Sequence, residues 1–169
     1  MKKFIGVFLA IILIISQSTL VFADNNSANL NLKCKSAVLM DVTSGQVLYE
    51  KDCHEKLPPA SVTKVMTMLL ICEAIESGKI KLTDEVTISE TASSMGGSQI
   101  FLEPNETQTV DTLLKGIAVA SANDACVAMA EYIGGSVEEF VDMMNNKAKE
   151  LGMKDTNFVN TNGLPVDNH

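Results

Sequence analysis

The chain has 169 residues, with 21 acidic and 13 basic side chains and a formal net charge of −8 at pH 7. Every basic residue is a lysine. An acidic chain without arginine is not expected to bind nucleic acid, and it offers no basic patch to an anionic membrane surface. The only histidines are His54 and His169, and the four cysteines lack paired short spacings, so no metal site and no cofactor are expected.

The N-terminus predicts export. The chain begins with two lysines and continues with an apolar run over Phe4–Ile15. Val21 and Ala23 are then the small residues at the −3 and −1 positions of a cleavage site after Ala23. This pattern is typical of a signal peptide over residues 1–23. An uncleaved anchor helix is the alternative, but the apolar run is short for a bilayer span of about 20 residues. Residues 24–33 read as an Asn- and Ser-rich linker. Residues 34–169 are then expected to form an extracytoplasmic domain, with no membrane anchor left after signal cleavage.

A hairpin is predicted next, with strands over residues 36–40 and 46–51 around the turn Thr43-Ser44-Gly45. Cys34 and Cys53 flank this hairpin, and a disulfide between them is one open possibility in an exported chain. Cys72 and Cys126 fall inside apolar helical patterns and are predicted to be buried.

The tetrad Ser61-Val62-Thr63-Lys64 follows Pro58-Pro59 and opens a helix that ends at Ser77-Gly78. The broad apolar stripe of this helix predicts burial through the middle of the domain. A serine and a lysine three residues apart share one helix face, so the amine can take the hydroxyl proton and activate a nucleophile without histidine. The alternative is an N-cap serine followed by a solvated lysine.

The remaining elements are one extended segment, one loop, three helices and a turn-rich end. In chain order they cover residues 82–89 (edge strand or connector), 92–99 (loop), 110–119, 124–133 and 136–151 (helices), and 157–164. The helix at 136–151 begins with the capping-box sequence Ser136-Val137-Glu138-Glu139.

A second polar constellation, Ser121-Ala122-Asn123, lies in the break between two predicted helices. In isolation it is an ordinary helix cap. Together with the Ser61–Lys64 tetrad it suggests a catalytic role. A serine at this position can relay a proton to a leaving amine, and an asparagine can hold a substrate amide.

These motifs together resemble the low-molecular-mass penicillin-binding proteins, the serine D-alanyl-D-alanine carboxypeptidases, whose Ser-x-x-Lys signature is shared with class A β-lactamases. The resemblance runs from about Ser36 to the last residue. It includes the opening hairpin, Pro58–Met68, Gly97–Leu102 and Asn160-Thr161-Asn162-Gly163-Leu164. It implies an α+β fold of the β-lactamase/transpeptidase-like type, with an N-terminal hairpin of an antiparallel sheet and a mostly helical region.

The resemblance also implies roles for four residues. Ser61 is the acylated nucleophile, Lys64 its general base, Ser121 a helper in proton transfer and Asn123 the group that orients the substrate peptide. The implied substrate is the D-Ala-D-Ala end of peptidoglycan stem peptides, and β-lactams are implied as covalent inhibitors of the same serine.

The sequence departs from the family pattern at one motif. No Lys-Thr/Ser-Gly tripeptide is present, and the strands that follow it in the family are missing. Losing one oxyanion donor typically costs about 10²- to 10³-fold in rate. We therefore expect the N-terminal part of a carboxypeptidase, inactive by itself.

Two alternatives differ in class. A non-catalytic cell-wall binding module is favoured by the missing third motif and disfavoured by retention of the four polar residues. A class A β-lactamase usually has aspartate where this chain has Ala122, and it needs a glutamate that the segment after Leu151 does not supply.

Overall fold

The computed structural model describes residues 30–169. The chain forms two compact units, the first ending at Glu55 and the second beginning at Lys56. The predicted signal peptide and residues 24–29 of the predicted linker lie outside the described residues. From residue 30 onward, no helix is both long and apolar enough to cross a bilayer.

The first unit contains the predicted hairpin. Strands β1 (Ala37–Met40) and β2 (Val47–Lys51) pair antiparallel, with a register shift at the end of β1. In the turn, Asp41 Oδ1 accepts hydrogen bonds from the Ser44 N–H (2.7 Å) and hydroxyl (2.6 Å), and these bonds lower the pKa of the Asp41 carboxyl. The thiols of Cys34 and Cys53 are both free in this structure.

The second unit is mostly helical. A 3₁₀ turn (Ala60–Thr63) leads directly into α1 (Lys64–Glu76). The other elements, in chain order, are β3 (Glu85–Thr87), α2 (Glu90–Ser93), β4 (Thr107–Thr109), α3 (Val110–Ala120), α4 (Asn123–Gly134) and α5 (Val137–Glu150). Strands β3 and β4 pair antiparallel. Short antiparallel strand pairs beside a helical region confirm the predicted α+β class.

Helix α4 is the centre of this unit, and the other four helices pack against it. Its residues from Ala125 to Ala130 are all buried, and most of them are small. Small side chains let neighbouring helices approach on every side, which explains how one helix can be buried all round. Cys126 lies in this run and is fully buried, as the sequence predicted.

Helix α1 is only partly buried, although the sequence predicted a helix buried through the middle of the domain. Its buried stripe follows Met66, Leu70 and Ala74, whereas Val65 is 61% exposed and Cys72 is exposed. Cys72 follows Val65 by seven residues and therefore lies two turns along the same exposed face. The predicted burial of Cys72 was therefore wrong. The apolar residues of α1 cover a wider part of its surface than the neighbouring elements bury, and the sequence does not show which of them stay exposed.

Two short elements were also missed. The Ser89 side chain accepts a hydrogen bond from the Ala92 N–H (2.9 Å) and so starts α2 at Glu90, between the predicted extended segment and the predicted loop. Strand β4 precedes α3 directly, in a stretch for which the sequence predicted no element. Its three residues are too few to show a period of two.

The capping box of α5 gives the first testable expectation. The Ser136 hydroxyl accepts a hydrogen bond from the Glu139 N–H (3.1 Å). Replacing Ser136 with alanine should lower the free energy of unfolding by about 1 kcal/mol, because the first turn loses its side-chain acceptor. Ser94→Ala at the exposed end of α2 is the control, and urea denaturation of both variants is the measurement. Equal loss in the two variants would contradict the capping role.

Candidate active site

Ser61 and Lys64 meet at the junction of the 3₁₀ turn and α1. Lys64 Nζ lies 3.2 Å from Ser61 Oγ. The lysine is only 3% exposed, whereas the serine is exposed to solvent. The alternative of a solvated lysine beside a capping serine is therefore wrong, since Ser61 makes no side-chain cap and the amine is buried.

A tight turn at Asn160–Leu164 holds the lysine from the other side. Asn160 Oδ1 accepts hydrogen bonds from the N–H groups of Asn162 (3.2 Å) and Gly163 (2.7 Å). This turn aims the carbonyl of Asn162 at Lys64 Nζ, 2.9 Å away. The neighbouring carbonyl of Thr161 accepts from the Thr67 hydroxyl at 2.6 Å, which ties the same turn to α1.

Gly163 is required at this contact. It has φ +85°, and a Cβ built there would lie 1.8 Å from the carbonyl oxygen of Ala60. The turn therefore packs backbone against backbone on the residue that precedes Ser61. Only glycine fits both the conformation and the space.

Burial tunes the amine. It lowers the pKa of Lys64 below the ordinary lysine value, because the charged form is poorly solvated. An ionised Cys126 thiol would oppose this shift, but burial raises the pKa of Cys126 to about 12, so the thiol is neutral at pH 7. No carboxylate within residues 30–169 forms an ion pair with Lys64. The amine is thus biased toward its neutral, proton-accepting form.

Ser121 completes a cluster of three polar side chains. It caps α3 in the left-handed conformation, with φ 55°. This unusual backbone turns the chain between α3 and α4, and the Ser121 hydroxyl donates to Ser61 Oγ at 3.1 Å. Ser61 Oγ therefore contacts an amine on one side and a second hydroxyl on the other.

Asn123 lies at the start of α4 and is 3% exposed. Its side-chain Nδ2 donates to the Gly96 carbonyl (2.7 Å), and its backbone N–H donates to the Ser98 carbonyl (2.7 Å). The structure thus brings both Lys64 and Ser121 into contact with Ser61, while Asn123 is bonded to the loop before Ile100. With Nδ2 engaged, Oδ1 is the atom of that amide left to accept from a ligand.

His169 approaches the tetrad from the end of the chain. The Val159 N–H donates to His169 Nδ1 (3.0 Å), so the neutral ring carries its proton on Nε2 and donates to the Thr63 hydroxyl (2.8 Å). Burial lowers the pKa of the imidazole and favours this neutral form. Neither this contact nor the Asn162 carbonyl was predicted. Asn-x-Asn-Gly is a turn signal that locates the turn but not its partner.

A cavity of about 480 Å³ borders the same turn, lined by parts of α2, α4, α5 and residues 160–162. Neither Ser61 nor Lys64 lines it, so the cluster faces solvent elsewhere. In the described part of the chain, no group of three His, Cys, Asp or Glu side chains could hold a metal ion.

Comparison with known proteins gives a consistent result. Residues 23–169 match the family model of peptidase S11, D-alanyl-D-alanine carboxypeptidase. The D-alanyl-D-alanine carboxypeptidase DacF of Bacillus subtilis is 54% identical over 172 aligned positions, which cover 100% of this chain and 44% of that protein.

Solved structures agree. The crystal structure of the D-alanyl-D-alanine carboxypeptidase DacD from Francisella tularensis superposes with a TM-score of 0.82 at 38% identity, covering 85% of this chain and 35% of that one. Penicillin-binding protein D2 from Listeria monocytogenes, in its ampicillin-bound form, gives 0.73 at 30% identity, covering 83% and 56%. The chain thus spans about half or less of the length of these relatives. It belongs to the peptidase S11 family, the D-alanyl-D-alanine carboxypeptidases.

Proposed function

We propose that the protein is a serine-type D-alanyl-D-alanine carboxypeptidase that forms an acyl-enzyme on Ser61. The observation that carries this proposal is the contact of Ser61 Oγ with both Lys64 Nζ (3.2 Å) and Ser121 Oγ (3.1 Å). A hydroxyl placed between a buried amine and a second hydroxyl has a proton acceptor and a proton relay within hydrogen-bond reach.

In the acylation step, neutral Lys64 accepts the Ser61 proton while Oγ attacks the carbonyl of the penultimate D-alanine. The C–N bond then breaks, and the leaving D-alanine amine receives a proton through Ser121. Water attacks the resulting ester, releasing the shortened peptide and restoring Ser61. The Ser61 backbone N–H supplies one donor for the oxyanion.

Asn123 orients the substrate in this proposal. Its Oδ1 accepts a hydrogen bond from an N–H of the stem peptide, because its Nδ2 is already held by the Gly96 carbonyl. Peptidoglycan stem peptides lie outside the cytoplasm, which agrees with the signal peptide predicted over residues 1–23. β-Lactams are the matching covalent inhibitors, and the ampicillin-bound relative supports this assignment.

The test is labelling of the 169-residue chain with a fluorescent penicillin, followed by peptide mapping of the adduct. We expect one stable adduct on Ser61 and none in the Ser61→Ala variant. Ser98→Ala is the matched control, since Ser98 contributes its backbone carbonyl and should label normally.

Other outcomes identify other functions. A folded chain that binds peptidoglycan but takes no label would contradict the proposal and favour a non-catalytic cell-wall binding module. Rapid turnover of penicillin without a lasting adduct would favour a β-lactamase. From the sequence we expected this chain alone to be inactive because the third motif is absent, whereas the contacts of Ser61 with Lys64 and Ser121 favour labelling. The same experiment decides between these two expectations.

A further inference from the structure

A buried carboxylate lies directly beside the proposed substrate-orienting residue. Asp124 has no exposed surface, yet its charge has no ion-pair partner among residues 30–169. Burying a carboxylate is costly unless hydrogen bonds compensate. Its position in the first turn of α4 supplies a favourable helix dipole, but that alone does not explain why this position carries a charge.

Backbone N–H groups from a separate segment compensate the charge. The Ile100 N–H lies 3.1 Å from Oδ2 and 3.3 Å from Oδ1, and the Leu102 N–H lies 3.1 Å from Oδ2. The Ala125 N–H donates to Oδ1 at 2.9 Å. Both oxygens only accept, as an ionised carboxylate does. Asp124 therefore ties the segment at residues 100–102 to the start of α4.

This attachment places strain on the residue between the two donors. Phe101 has φ 60° and is 81% exposed. A bulky side chain in the left-handed region costs energy and persists only when neighbouring contacts enforce it. The contacts here are the two hydrogen bonds to Asp124 and the Ile100 side chain, which occupies the space where a Cβ on Gly116 would lie.

The same segment holds Asn123. In the loop of residues 96–102, the Gly96 carbonyl accepts a hydrogen bond from the Asn123 side-chain amide. The Ser98 carbonyl accepts one from the Asn123 backbone N–H. Gly97 lies so close that a Cβ there would come within 2.8 Å of Asn123 Nδ2. The loop is thus bonded to α4 at both ends, through Asn123 at one end and Asp124 at the other.

We infer that Asp124 is a positioning residue: it clamps the loop of residues 96–102 onto α4, and the loop in turn fixes the orientation of the Asn123 side-chain amide. This inference rests on the proposed function for its catalytic meaning but not for its structural test. Without the clamp, the loop relaxes the strain at Phe101 and Gly96 no longer holds Asn123 Nδ2 in place.

The first test measures the clamp. Asp124→Asn keeps the shape but presents an N–H₂ donor to backbone N–H donors. Amide hydrogen exchange followed by NMR should show protection at Ile100 and Leu102 falling about 10- to 100-fold. Asp142→Asn, an exposed carboxylate on α5, is the control and should leave both amides unchanged. Unchanged protection in Asp124→Asn would overturn the inference.

The second test measures positioning. The Asn123 side-chain NH₂ signals should shift and exchange faster in Asp124→Asn. Those of Asn145, whose side-chain amide forms two hydrogen bonds with the Phe158 backbone, should not change. Loss of loop protection with unmoved Asn123 signals would also overturn the inference. Adding Phe101→Gly to Asp124→Asn should restore part of the protection, because glycine removes the left-handed strain.

Should Asp124→Asn fail to fold, the wild-type chain still decides the matter. Its Ile100 and Leu102 amides, although in a loop, should exchange at least about 10-fold more slowly than unstructured amides. Exchange at the unstructured rate would overturn the clamp.

Penicillin kinetics link the clamp to function. We expect Asp124→Asn to weaken the non-covalent binding step about 3- to 30-fold, with little change in the acylation rate constant, because Asn123 orients the ligand and Lys64 performs the proton transfer. A loss confined to the acylation rate constant would contradict positioning through Asn123. If the wild-type chain takes no label at all, the proposed function fails, while the Asn123 signals still decide the inference.

Discussion

Replacing Lys64 with methionine is expected to slow penicillin acylation of Ser61 by about 10²- to 10⁴-fold, the usual contribution of a general base. Methionine keeps the length of the buried stem but cannot accept the Ser61 proton. The free energy of unfolding should change by no more than about 1 kcal/mol near neutral pH, because relief from burying the amine offsets the loss of its hydrogen bond to the Asn162 carbonyl.

The pH dependence of this pair has a definite sign. Burial lowers the pKa of Lys64 in the folded state below its value of 10.5 in the unfolded chain. Between the lowered pKa and 10.5 the unfolded chain binds more protons, so the free energy of unfolding rises with pH across that window. Acylation should rise over the lower part of the same range, as the amine loses its proton. Lys64→Met should lack both slopes.

Lys115→Met is the matched control for this prediction. Lys115 is an exposed lysine that pairs with Asp111 within α3, so its replacement should change acylation little and stability by a few tenths of a kcal/mol. Stopped-flow acylation and thermal denaturation at several pH values are the measurements. A Lys64→Met variant that acylates at the wild-type rate, or whose stability rises with pH as that of the wild type does, would refute the assignment of Lys64 as a buried base.

Local signals were sufficient for much of the architecture. The hairpin turn, the helix boundaries near Val110 and Gly134, and the Ser136 cap all depend on residues within a few positions of one another, and the structure confirms them. The pairing of Ser61 with Lys64 is equally local, because three residues span one helical turn. Sequence reasoning reaches such features since neighbours along the chain are also neighbours in space.

The unpredicted parts of the site depend on contacts between distant residues. The Asn162 carbonyl reaches Lys64 across 98 positions, and His169 reaches Thr63 across 106. Periodicity cannot show which carbonyl faces a given amine. It also cannot show which edge of a wide apolar stripe is covered, and this is why the burial of Cys72 was predicted wrongly.

The packing of Gly163 against Ala60, the residue before Ser61, depends on both a local turn and a contact between distant residues. Gly163 belongs to a recognisable Asn-Gly turn, but its importance comes from Ala60, 103 positions earlier. Ala60 itself has φ 48°, so the residue before the nucleophile is held in an unusual conformation where Gly163 packs against it. The orientation of Ser61 is therefore determined by a turn near the end of the chain.

Gly163→Ala is accordingly expected to lower the free energy of unfolding by about 3 kcal/mol or more, since overpacking and left-handed strain act together. The added Cβ would overlap the Ala60 carbonyl oxygen, so the turn must move away from α1. Lys64 then loses the Asn162 carbonyl, and penicillin acylation should fall with stability.

Gly135→Ala separates the two causes. Gly135 has φ +86°, almost the same as Gly163, but a Cβ there would meet nothing within 4 Å. It should therefore show the conformational cost alone, about 1–2 kcal/mol, and label normally with penicillin. Urea denaturation and labelling of both variants are the measurements. Equal destabilisation of the two variants would mean that glycine is needed at position 163 only for its positive φ and not for its contact with Ala60. We expect Gly163→Ala to lose more stability than Gly135→Ala and also to lose labelling. Both losses follow if the backbone contact with Ala60 keeps Ser61 and Lys64 within hydrogen-bond distance.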